Sequence, residues 1–445
     1  MSVTSAVVEL TEWEQRTIPE LILEPEDQRL AADLSVQRRV LIEERREGLY
    51  VHARSWVGVV HLRGLELRVL PKAAGGNEGL VRMIELTSGL EALNRVPRAR
   101  LIKAEGVNLL DLIALLLVEA AEVVVRQGLL RDYVERDDLL PVAHGRLLLD
   151  RQVLERFGQV DRLYCRFDEH EQDITENRLL GLALASAGIV VRDPEVKRRA
   201  RRMSSLFREI CDPDALDLDA ARDLAYDRMN AYYQGAHELA WLILGGLGVE
   251  DVLATGGTNS FAFLLNMNLL FERFVWVLFS KVLHGTDVNV AYQKRNRLTI
   301  WDPETNRSYQ TIIPDLLLDQ RREGDHSRVP VDAKYKLYDE HSISPEDVYQ
   351  AFVYSYAFSE EGTPARAAIA YPASADPRSR RLVIRRYKGV HAAEITLLGI
   401  PIVDALAELK SGSSGPIAES IRRLGLGPSS NAAVAEREDL DALAR

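Results

Sequence analysis

A change of hydrophobic pattern near residue 260 limits the fold of the C-terminal part more than any other feature of this sequence. A helical pattern over 260–283 gives way to short apolar segments that alternate like strands, and a second helical pattern follows at 345–358. This order describes a mixed sheet with helices on its faces. The predicted strands are Asn289–Tyr292, Leu298–Trp301, Thr311–Leu318, Val329–Tyr335, Ala367–Tyr371 and Leu382–Tyr387.

The residues upstream of this pattern are organised differently. Short strands are predicted near the N-terminus at Gly48–Ala53, Gly58–Leu62 and Leu65–Leu70. The middle third is mostly helical in its periodicity, with predicted helices at Val107–Gln127, Asp173–Ala187, Pro194–Ile210 and Ala220–Leu247. A stretch rich in Gly, Thr and Asn over 245–259 indicates a boundary between this region and the C-terminal part.

The sequence therefore predicts a multidomain α+β protein in four parts. Residues 1–105 would form an N-terminal mixed α/β domain, and residues 106–250 a helical region. Residues 251–405 would form an α/β domain on a mixed sheet. The small polar residues from Ser411 onward, followed by a weak helix, predict a peripheral tail over 406–445.

The composition restricts the partners and the compartment of this chain. Its formal net charge is −11, so binding to DNA requires local basic patches or a partner that holds the DNA. The two cysteines exclude a cysteine-based zinc site and fit a reducing cytoplasm. The apolar stretches are too short to span a bilayer, and the first ten residues lack the basic start of a signal peptide, so we expect no membrane association.

A pattern of carboxylates and a lysine lies on two of the predicted strands. Asp332 and Lys334 share one strand face because they are two residues apart, and Asp315 lies on the preceding strand. The three side chains can therefore converge. Carboxylate oxygens suit Mg²⁺, and a lysine beside them can orient an attacking water or stabilise charge on a phosphate. The alternative is a surface strand with an incidental ion pair.

Two helical residues add to this set. Glu272 has apolar neighbours such as Val275 and Trp276, and a carboxylate in such surroundings costs free energy unless it is paired or binds metal. Gln350 and Tyr354 stand four residues apart on one helix face. The alternative for Glu272 is a residue at the edge of the apolar face that reaches solvent. The alternative for Gln350 and Tyr354 is that they are ordinary residues of an amphipathic helix without a functional role.

In chain order, a helix Glu, a strand Pro-Asp, a strand Asp-x-Lys and a helix Gln-x-x-x-Tyr resemble the PD-(D/E)XK nuclease superfamily. Four phrases are more specific: residues 268–274 (Asn-Leu-Leu-Phe-Glu-Arg-Phe), 313–315 (Ile-Pro-Asp), 331–336 (Val-Asp-Ala-Lys-Tyr-Lys) and 347–350 (Asp-Val-Tyr-Gln). They resemble the McrC family, the nuclease subunits of modified-cytosine-specific McrBC restriction systems. With softer upstream phrases, the resemblance spans roughly residues 10–400.

The resemblance implies a catalytic site and a partner. Asp315 and Asp332 would bind Mg²⁺ (or Mn²⁺), Lys334 would serve the attacking water, and Glu272 and Gln350 would support the site. The N-terminal half would dock into the pore of an McrB-like hexameric AAA+ GTPase or other NTPase and stimulate its hydrolysis. The chain contains no Gly-x-x-x-x-Gly-Lys-Ser/Thr loop, so NTP hydrolysis would belong to that partner.

Two basic clusters in the C-terminal part are candidates for contacts with the phosphates of double-stranded DNA, although a solvated face explains either cluster equally well. The candidate DNA-binding residues are Lys294, Arg295, Arg297, Arg380, Arg381 and Arg385. Two other functions stay open from the sequence. One is a non-catalytic adaptor that activates an NTPase ring, and the other is a stand-alone repair nuclease on the same core.

Overall fold

The computed structural model describes residues 6–88, 109–247, 260–322, 325–339, 342–359, 365–374, 379–389 and 391–426. The chain divides into two compact units. Unit 1 comprises Met1–Val57, Arg63–Thr87 and Leu265–Arg445, and unit 2 comprises Gly58–Leu62 and Ser88–Leu264. The predicted boundaries near 105 and 250 lie outside the described residues, so the four-part division stays a prediction.

The N-terminal segments are rich in strands, and two predicted strands, Gly48–Ala53 and Leu65–Leu70, are confirmed. In unit 1, β1 pairs in parallel with β6, and β4 lies between β2 and β3 in an antiparallel sheet. The elements are β1 (Ala6–Thr11), β2 (Gln15–Ile18), α1 (Pro25–Val36), β3 (Val40–Arg45), β4 (Gly48–Ala53), β5 (Trp56–Leu62), β6 (Leu65–Leu70) and α2 (Gly76–Ser88).

Unit 2 packs helices together with a small antiparallel sheet that the sequence did not predict. Its sheet has the order β7-β9-β8. Its helices include one predicted to the residue, Pro194–Ile210, which begins at the Asp193 cap. The elements are α3 (Leu109–Gln127), β7 (Asp132–Leu140), β8 (Arg146–Leu147), α4 (Leu149–Arg156), β9 (Leu163–Glu171), α5 (Thr175–Val190), α6 (Pro194–Ile210), α7 (Leu218–Arg222) and α8 (Gln234–Leu247).

The single helix predicted over 220–247 is wrong. The short α7 and the longer α8 are separated by a turn in which Asp227 accepts hydrogen bonds from the backbone N–H groups of Met229 and Asn230. Asn230 in turn accepts from the N–H of Asp227. Asp and Asn side chains that bond the nearby backbone in this way compete with helical hydrogen bonds, which explains the break.

A mixed six-stranded sheet forms the centre of the C-terminal part of unit 1, as the sequence predicts. The strand order is β11-β14-β15-β16-β18-β17, with parallel pairing between β15 and β16 and between β16 and β18. The strands are β11 (Val288–Tyr292), β14 (Leu316–Arg322), β15 (Asp325–Ala333), β16 (Ala365–Pro372), β17 (Ser379–Arg385) and β18 (His391–Ile400). A separate hairpin joins β12 (Asn296–Asp302) to β13 (Arg307–Ile312).

Helices cover both faces of this sheet. The helix predicted at Pro345–Phe358 is confirmed, and its Ala351 packs with Ile369 and Leu397 on one face. On the other face, Arg366 donates a hydrogen bond to the carbonyl of Leu424. The helices of this part are α9 (Met267–Val282), α10 (Pro345–Phe358), α11 (Ile402–Lys410) and α12 (Pro416–Leu426).

The helix predicted over 260–283 is corrected at its start. Residues Phe261–Asn266 form a strand, β10, and α9 begins only at Met267. The side chain of Asn266 accepts a hydrogen bond from the N–H of Asn268, which caps the helix. An Asn at this position satisfies an N–H that has no partner inside the helix, so the helix begins after it.

The predicted strands around the aspartates are also corrected. The strand expected over 311–318 breaks between β13 and β14, because Pro314 has no N–H to donate to a ladder. Asp315 therefore lies directly before β14. The strand expected over 329–335 ends at Ala333, so Lys334 lies just beyond β15.

Part of the segment expected to be a peripheral tail is packed within unit 1. The side chains of Leu406 in α11 and of Ile417 and Ile421 in α12 are buried. Residues 427–445 lie outside the described residues. No helix in the described part of the chain is long and apolar enough to cross a membrane.

Candidate active site

A cavity of about 370 Å³ opens at the end of β15, within unit 1. All five predicted catalytic residues line it, namely Glu272, Asp315, Asp332, Lys334 and Gln350. They come from four separate segments: α9, the residue before β14, the end of β15 and α10. The fold thus brings together residues that lie up to 78 positions apart in the sequence.

The two aspartates meet because β14 and β15 are antiparallel neighbours. Leu316 pairs with Val331, so the next step of this register sets Asp315 opposite Asp332. The carboxylate of Asp315 accepts a hydrogen bond of 2.6 Å from the N–H of Ala333, which fixes it against the end of β15. Asp332 is 3% exposed and Asp315 is half-buried, so the two carboxylates lie side by side with restricted access to water.

These surroundings disfavour the ionised form of both aspartates. Burial raises the pKa of Asp315, and the negative charge of Asp332 raises it further. Burial also raises the pKa of Asp332, although the nearby Lys334 ammonium opposes that shift. A pair of buried carboxylates that resist ionisation is stabilised in its charged form by a bound cation.

Lys334 is the cation nearest to Asp332 in this arrangement. Its Nζ lies 2.8 Å from Oδ2 of Asp332 and donates a hydrogen bond of 2.9 Å to Oε1 of Gln350. Its backbone N–H donates to the carbonyl of Ala370 on the neighbouring strand. Burial alone would lower the pKa of Lys334, but the carboxylates of Asp332, Asp347 and Asp315 together outweigh burial and the pKa is raised. The side chain therefore acts as a fixed positive charge and hydrogen-bond donor.

Gln350 and Glu272 each have a partner that fixes their direction. Gln350 donates from Nε2 to the hydroxyl of Tyr354, 2.8 Å away. Glu272 accepts a hydrogen bond of 2.8 Å from Nε2 of Gln293. The N–H of Gln293 also donates to the carbonyl of Asp315, so Gln293 ties the α9 side of the cavity to the aspartate segment.

The donor set fits a small divalent cation. Oδ2 of Asp332 is buried and accepts no hydrogen bond from the described residues, since the Lys334 ammonium approaches it outside hydrogen-bond geometry. Mg²⁺ commonly takes one or two carboxylates and completes its shell with water and phosphate oxygens. Within the described ranges, no group of three or more His, Cys, Asp or Glu side chains is placed to hold a metal ion.

The predicted DNA-binding residues lie at two distances from this cavity. Lys294 and Arg295 are exposed and directly follow Gln293, whose side chain bonds Glu272 of the cavity lining. Arg380 is in register with Leu397, Ile369 and Asp332, which sets it about 14 Å away across three strand spacings.

The remaining basic residues are less well placed. Arg381 points to the opposite face of the sheet, where its guanidinium lies 3.8 Å from Glu394. Arg385 is exposed near the end of the edge strand β17. The side chain of Arg297 lies outside the described part of the chain.

Sequence reasoning missed several residues that line or support the cavity. Lys336 lines it, and its Nζ donates 2.7 Å to Oδ2 of Asp347 at the start of α10. Tyr335 lines it too, and its hydroxyl bonds Glu12, which is more than 300 residues away in sequence. Lysine is scarce here, nine among 56 basic residues, so a second lysine two positions after Lys334 was an available signal.

Comparisons with known proteins give one family match and two solved structures of similar chains. The family model of the McrBC 5-methylcytosine restriction system component matches residues 51–372. A chain of the refined half-complex from the tetradecameric assembly of Thermococcus gammatolerans McrB AAA+ hexamers with bound McrC is 17% identical, with a TM-score of 0.53 over 95% of this chain and 99% of that chain. A chain of the cryo-EM structure of the Thermococcus gammatolerans McrBC complex is 18% identical, with a TM-score of 0.42 over 62% of this chain and 88% of that chain. A comparison with curated proteins finds no match.

The family match covers well over half of the chain and includes every residue of the cavity described above. The likeness to the half-complex chain shows a shared fold over nearly the whole length of both chains. The chain therefore belongs to the family of McrBC 5-methylcytosine restriction system components.

Proposed function

We propose that this chain is the nuclease subunit of a modification-directed (type IV) restriction complex and hydrolyses phosphodiester bonds of double-stranded DNA with Mg²⁺ or Mn²⁺. One observation carries the proposal: Asp315, Asp332 and Lys334 meet in a single open cavity. The match to a restriction-system family supports it. The two aspartates would hold the cation that the reaction needs.

The architecture around the cavity supports a PD-(D/E)XK nuclease core. A helix, α9, precedes the mixed sheet, and α10 packs on the face from which Asp332 projects. The Pro-Asp at 314–315 enters one strand, and the Asp-Ala-Lys at 332–334 ends the next. This is the order in which that superfamily carries its motif.

Each residue around the cation would have its own role in hydrolysis. When bound, Mg²⁺ lowers the pKa of a coordinated water and offsets the charge of the phosphate. Lys334, held between Asp332 and Gln350, would donate hydrogen bonds to the attacking water or to the phosphate oxygen on which charge grows. Glu272, fixed by Gln293, would support the α9 side of the site.

The partner would be an McrB-like hexameric AAA+ NTPase. The chain of similar fold comes from an assembly of McrB AAA+ hexamers with bound McrC. Such a ring would also resolve the charge problem of this chain, because a net charge of −11 gives weak affinity for DNA by itself. We infer that the ring delivers DNA to the cavity and that this chain cuts it.

The test separates cleavage from ring activation. In the full chain, Asp332→Asn keeps the shape of the side chain and removes one charged ligand. We expect DNA cleavage with Mg²⁺ and the cognate ring to fall by at least about 100-fold, while stimulation of NTP turnover stays at the wild-type level. The measurement is a paired assay of DNA cleavage and NTP hydrolysis.

The matched control is Asp404→Asn, which changes an exposed aspartate on α11. It should leave both activities unchanged. Cleavage by Asp332→Asn at the wild-type rate would contradict the assignment of the site. Ring stimulation by wild-type protein that never cuts DNA, with Mg²⁺ or Mn²⁺, would identify an adaptor. Cleavage that does not need the ring would identify a stand-alone nuclease.

A further inference from the structure

A second cavity of about 330 Å³ opens beside the catalytic one in unit 1. Its lining includes Trp13, Lys72, Leu337, Tyr338, Ser342 and Lys336, and we call it the Trp13 pocket. Lys336 lines the catalytic cavity as well, so the two cavities are neighbours. The volume lies within the usual range for pockets that hold small organic groups.

Trp13, which forms one wall of the Trp13 pocket, has an unusual backbone conformation. The turn from Thr11 to Glu14 is closed by a hydrogen bond of 3.1 Å from the N–H of Glu14 to the carbonyl of Thr11. Within it Trp13 has a φ of 62°, in the left-handed region that glycine adopts most easily. Backbone strain of this kind concentrates at functional sites, where the surrounding structure enforces it.

The turn is enforced by the segment that carries the catalytic lysine. Glu12 is 2% exposed, and its carboxylate accepts hydrogen bonds of 2.8 Å from the N–H of Lys72 and from the hydroxyl of Tyr335. The indole of Trp13 packs on the ring of Tyr335, with 5.7 Å between ring centroids. Because Tyr335 follows Lys334 directly, the indole is fixed relative to the catalytic cavity.

The chemistry of the pocket fits a planar base attached to an anion. Trp13, Leu337 and Tyr338 supply aromatic and apolar walls, and Lys72 and Lys336 supply positive charge. The ammonium of Lys336 lies 5.9 Å from the ring centroid of Tyr338 and is oriented by Asp347. Aromatic side chains beside basic residues are the combination with which proteins bind unstacked bases of a nucleic-acid strand.

We propose that the Trp13 pocket receives an unstacked nucleobase of the DNA strand, next to the phosphate that is cleaved. This inference rests on the proposed nuclease function, since that function places a DNA strand in the adjacent cavity. The base stacks on the indole of Trp13, and Lys336 contacts the phosphate between the two cavities. The pocket thereby fixes which phosphate of the strand enters the catalytic cavity.

The test uses the full chain with Asp332→Asn, so that DNA is bound with its cognate ring without being cut. The probe is DNA carrying 2-aminopurine, a fluorescent base that reports stacking, at each position flanking the cleavage site. We expect one position to change its fluorescence on binding. Trp13→Ala should abolish that change and weaken DNA affinity about tenfold, whereas Trp13→Phe should retain most of both.

Two further variants serve as a control and as an independent test of the pocket. Trp301→Ala removes an exposed tryptophan of β12 outside the pocket and should change neither readout. Ser342→Trp fills the pocket from its exposed rim without disturbing the turn, so it tests the proposal even if Trp13→Ala fails to fold. Native folding of each variant is checked by circular dichroism.

The outcomes separate the pocket from the nuclease function. Unchanged fluorescence and affinity in folded Trp13→Ala and Ser342→Trp, with cleavage by the wild type intact, would overturn the pocket and leave the nuclease. A Trp13-dependent signal in a protein whose wild type never cleaves would overturn the nuclease, and with it the role of the pocket in choosing the cleaved phosphate, and would leave base binding by Trp13. Absence of DNA binding by every variant would overturn both.

Discussion

Glu12 is a buried carboxyl whose surroundings disturb its ordinary ionisation. Burial raises its pKa to about 7, against the opposing hydrogen bonds from Lys72 and Tyr335. Between about pH 4.5 and pH 7, Glu12 is therefore protonated in the folded chain and ionised in the unfolded chain. Because the folded chain then binds more protons, its stability falls as pH rises through this window.

Glu12→Gln should remove this pH dependence. The glutamine keeps one oxygen to accept from Lys72 and Tyr335, and it cannot ionise. We expect wild-type stability to fall between pH 5 and pH 8 by roughly 3 kcal/mol more than that of the variant. The measurement is the urea midpoint of the unit 1 unfolding transition as a function of pH.

The matched control is Glu47→Gln in the exposed turn between β3 and β4. It should reproduce the wild-type pH profile. If the Glu12→Gln stability profile were as steep with pH as that of the wild type, Glu12 would be ionised in the folded chain. The hydrogen bonds from Lys72 and Tyr335 would then be accepted by a charged carboxylate.

At the scale of elements, the start of α9 decides where Glu272 lies. A helix that began at 260 would continue through Asn266, but the Asn266 cap ends β10 and begins α9 at Met267. The backbone N–H of Met267 donates to the carbonyl of Ser55, which anchors this start within unit 1. The cap therefore sets the position from which Glu272 reaches the cavity, one and a half turns later.

Removal of the cap gives an element-scale prediction. Asn266→Ala should lower the stability of unit 1 by about 1 kcal/mol, because the N–H of Asn268 loses its acceptor. Asn266→Ser, which can cap in the same way, should recover most of the loss. The measurement is the shift of the urea unfolding midpoint at constant pH. Equal stability of the alanine variant and the wild type would show that the cap contributes nothing here.

At the scale of the whole molecule, the net negative charge opposes DNA binding, and only local basic patches can favour it. The net charge is −11, yet Lys294 and Arg295 are exposed and directly follow Gln293, which bonds Glu272 at the candidate active site. If both contact phosphates, each contributes about one released counterion to the salt dependence of binding. The proposed function thus assigns these two residues a measurable share of DNA affinity.

The double variant Lys294→Ala, Arg295→Ala should weaken binding to all sequences alike. The slope of log affinity against log salt concentration should become shallower by about 2, measured by DNA titration at several salt concentrations. The double variant Arg45→Ala, Arg46→Ala, at the end of β3 and in the turn after it, is the control and should leave the slope unchanged. An unchanged slope without Lys294 and Arg295 would place the DNA elsewhere on the chain.

Local signals in the sequence were enough to predict several elements and the members of the candidate site. Pro194 behind the Asp193 cap and Pro345 behind the Ser344 cap mark helix starts that the structure reproduces, since capping depends on neighbours in sequence. The Pro-Asp and Asp-x-Lys motifs identified Asp315, Asp332 and Lys334, which share one cavity. Their catalytic roles stay predictions.

Tertiary structure decided what depends on contacts between distant segments. The antiparallel register of β14 and β15, rather than strand alternation, sets Asp315 opposite Asp332, because Pro314 breaks the predicted strand. The bond between Glu12 and Tyr335 joins residues 323 positions apart, and no local pattern encodes such a pair. Periodicity and motifs report which faces are apolar and which residues are chemically apt, but the pairing of remote segments is chosen by the packing of the whole core.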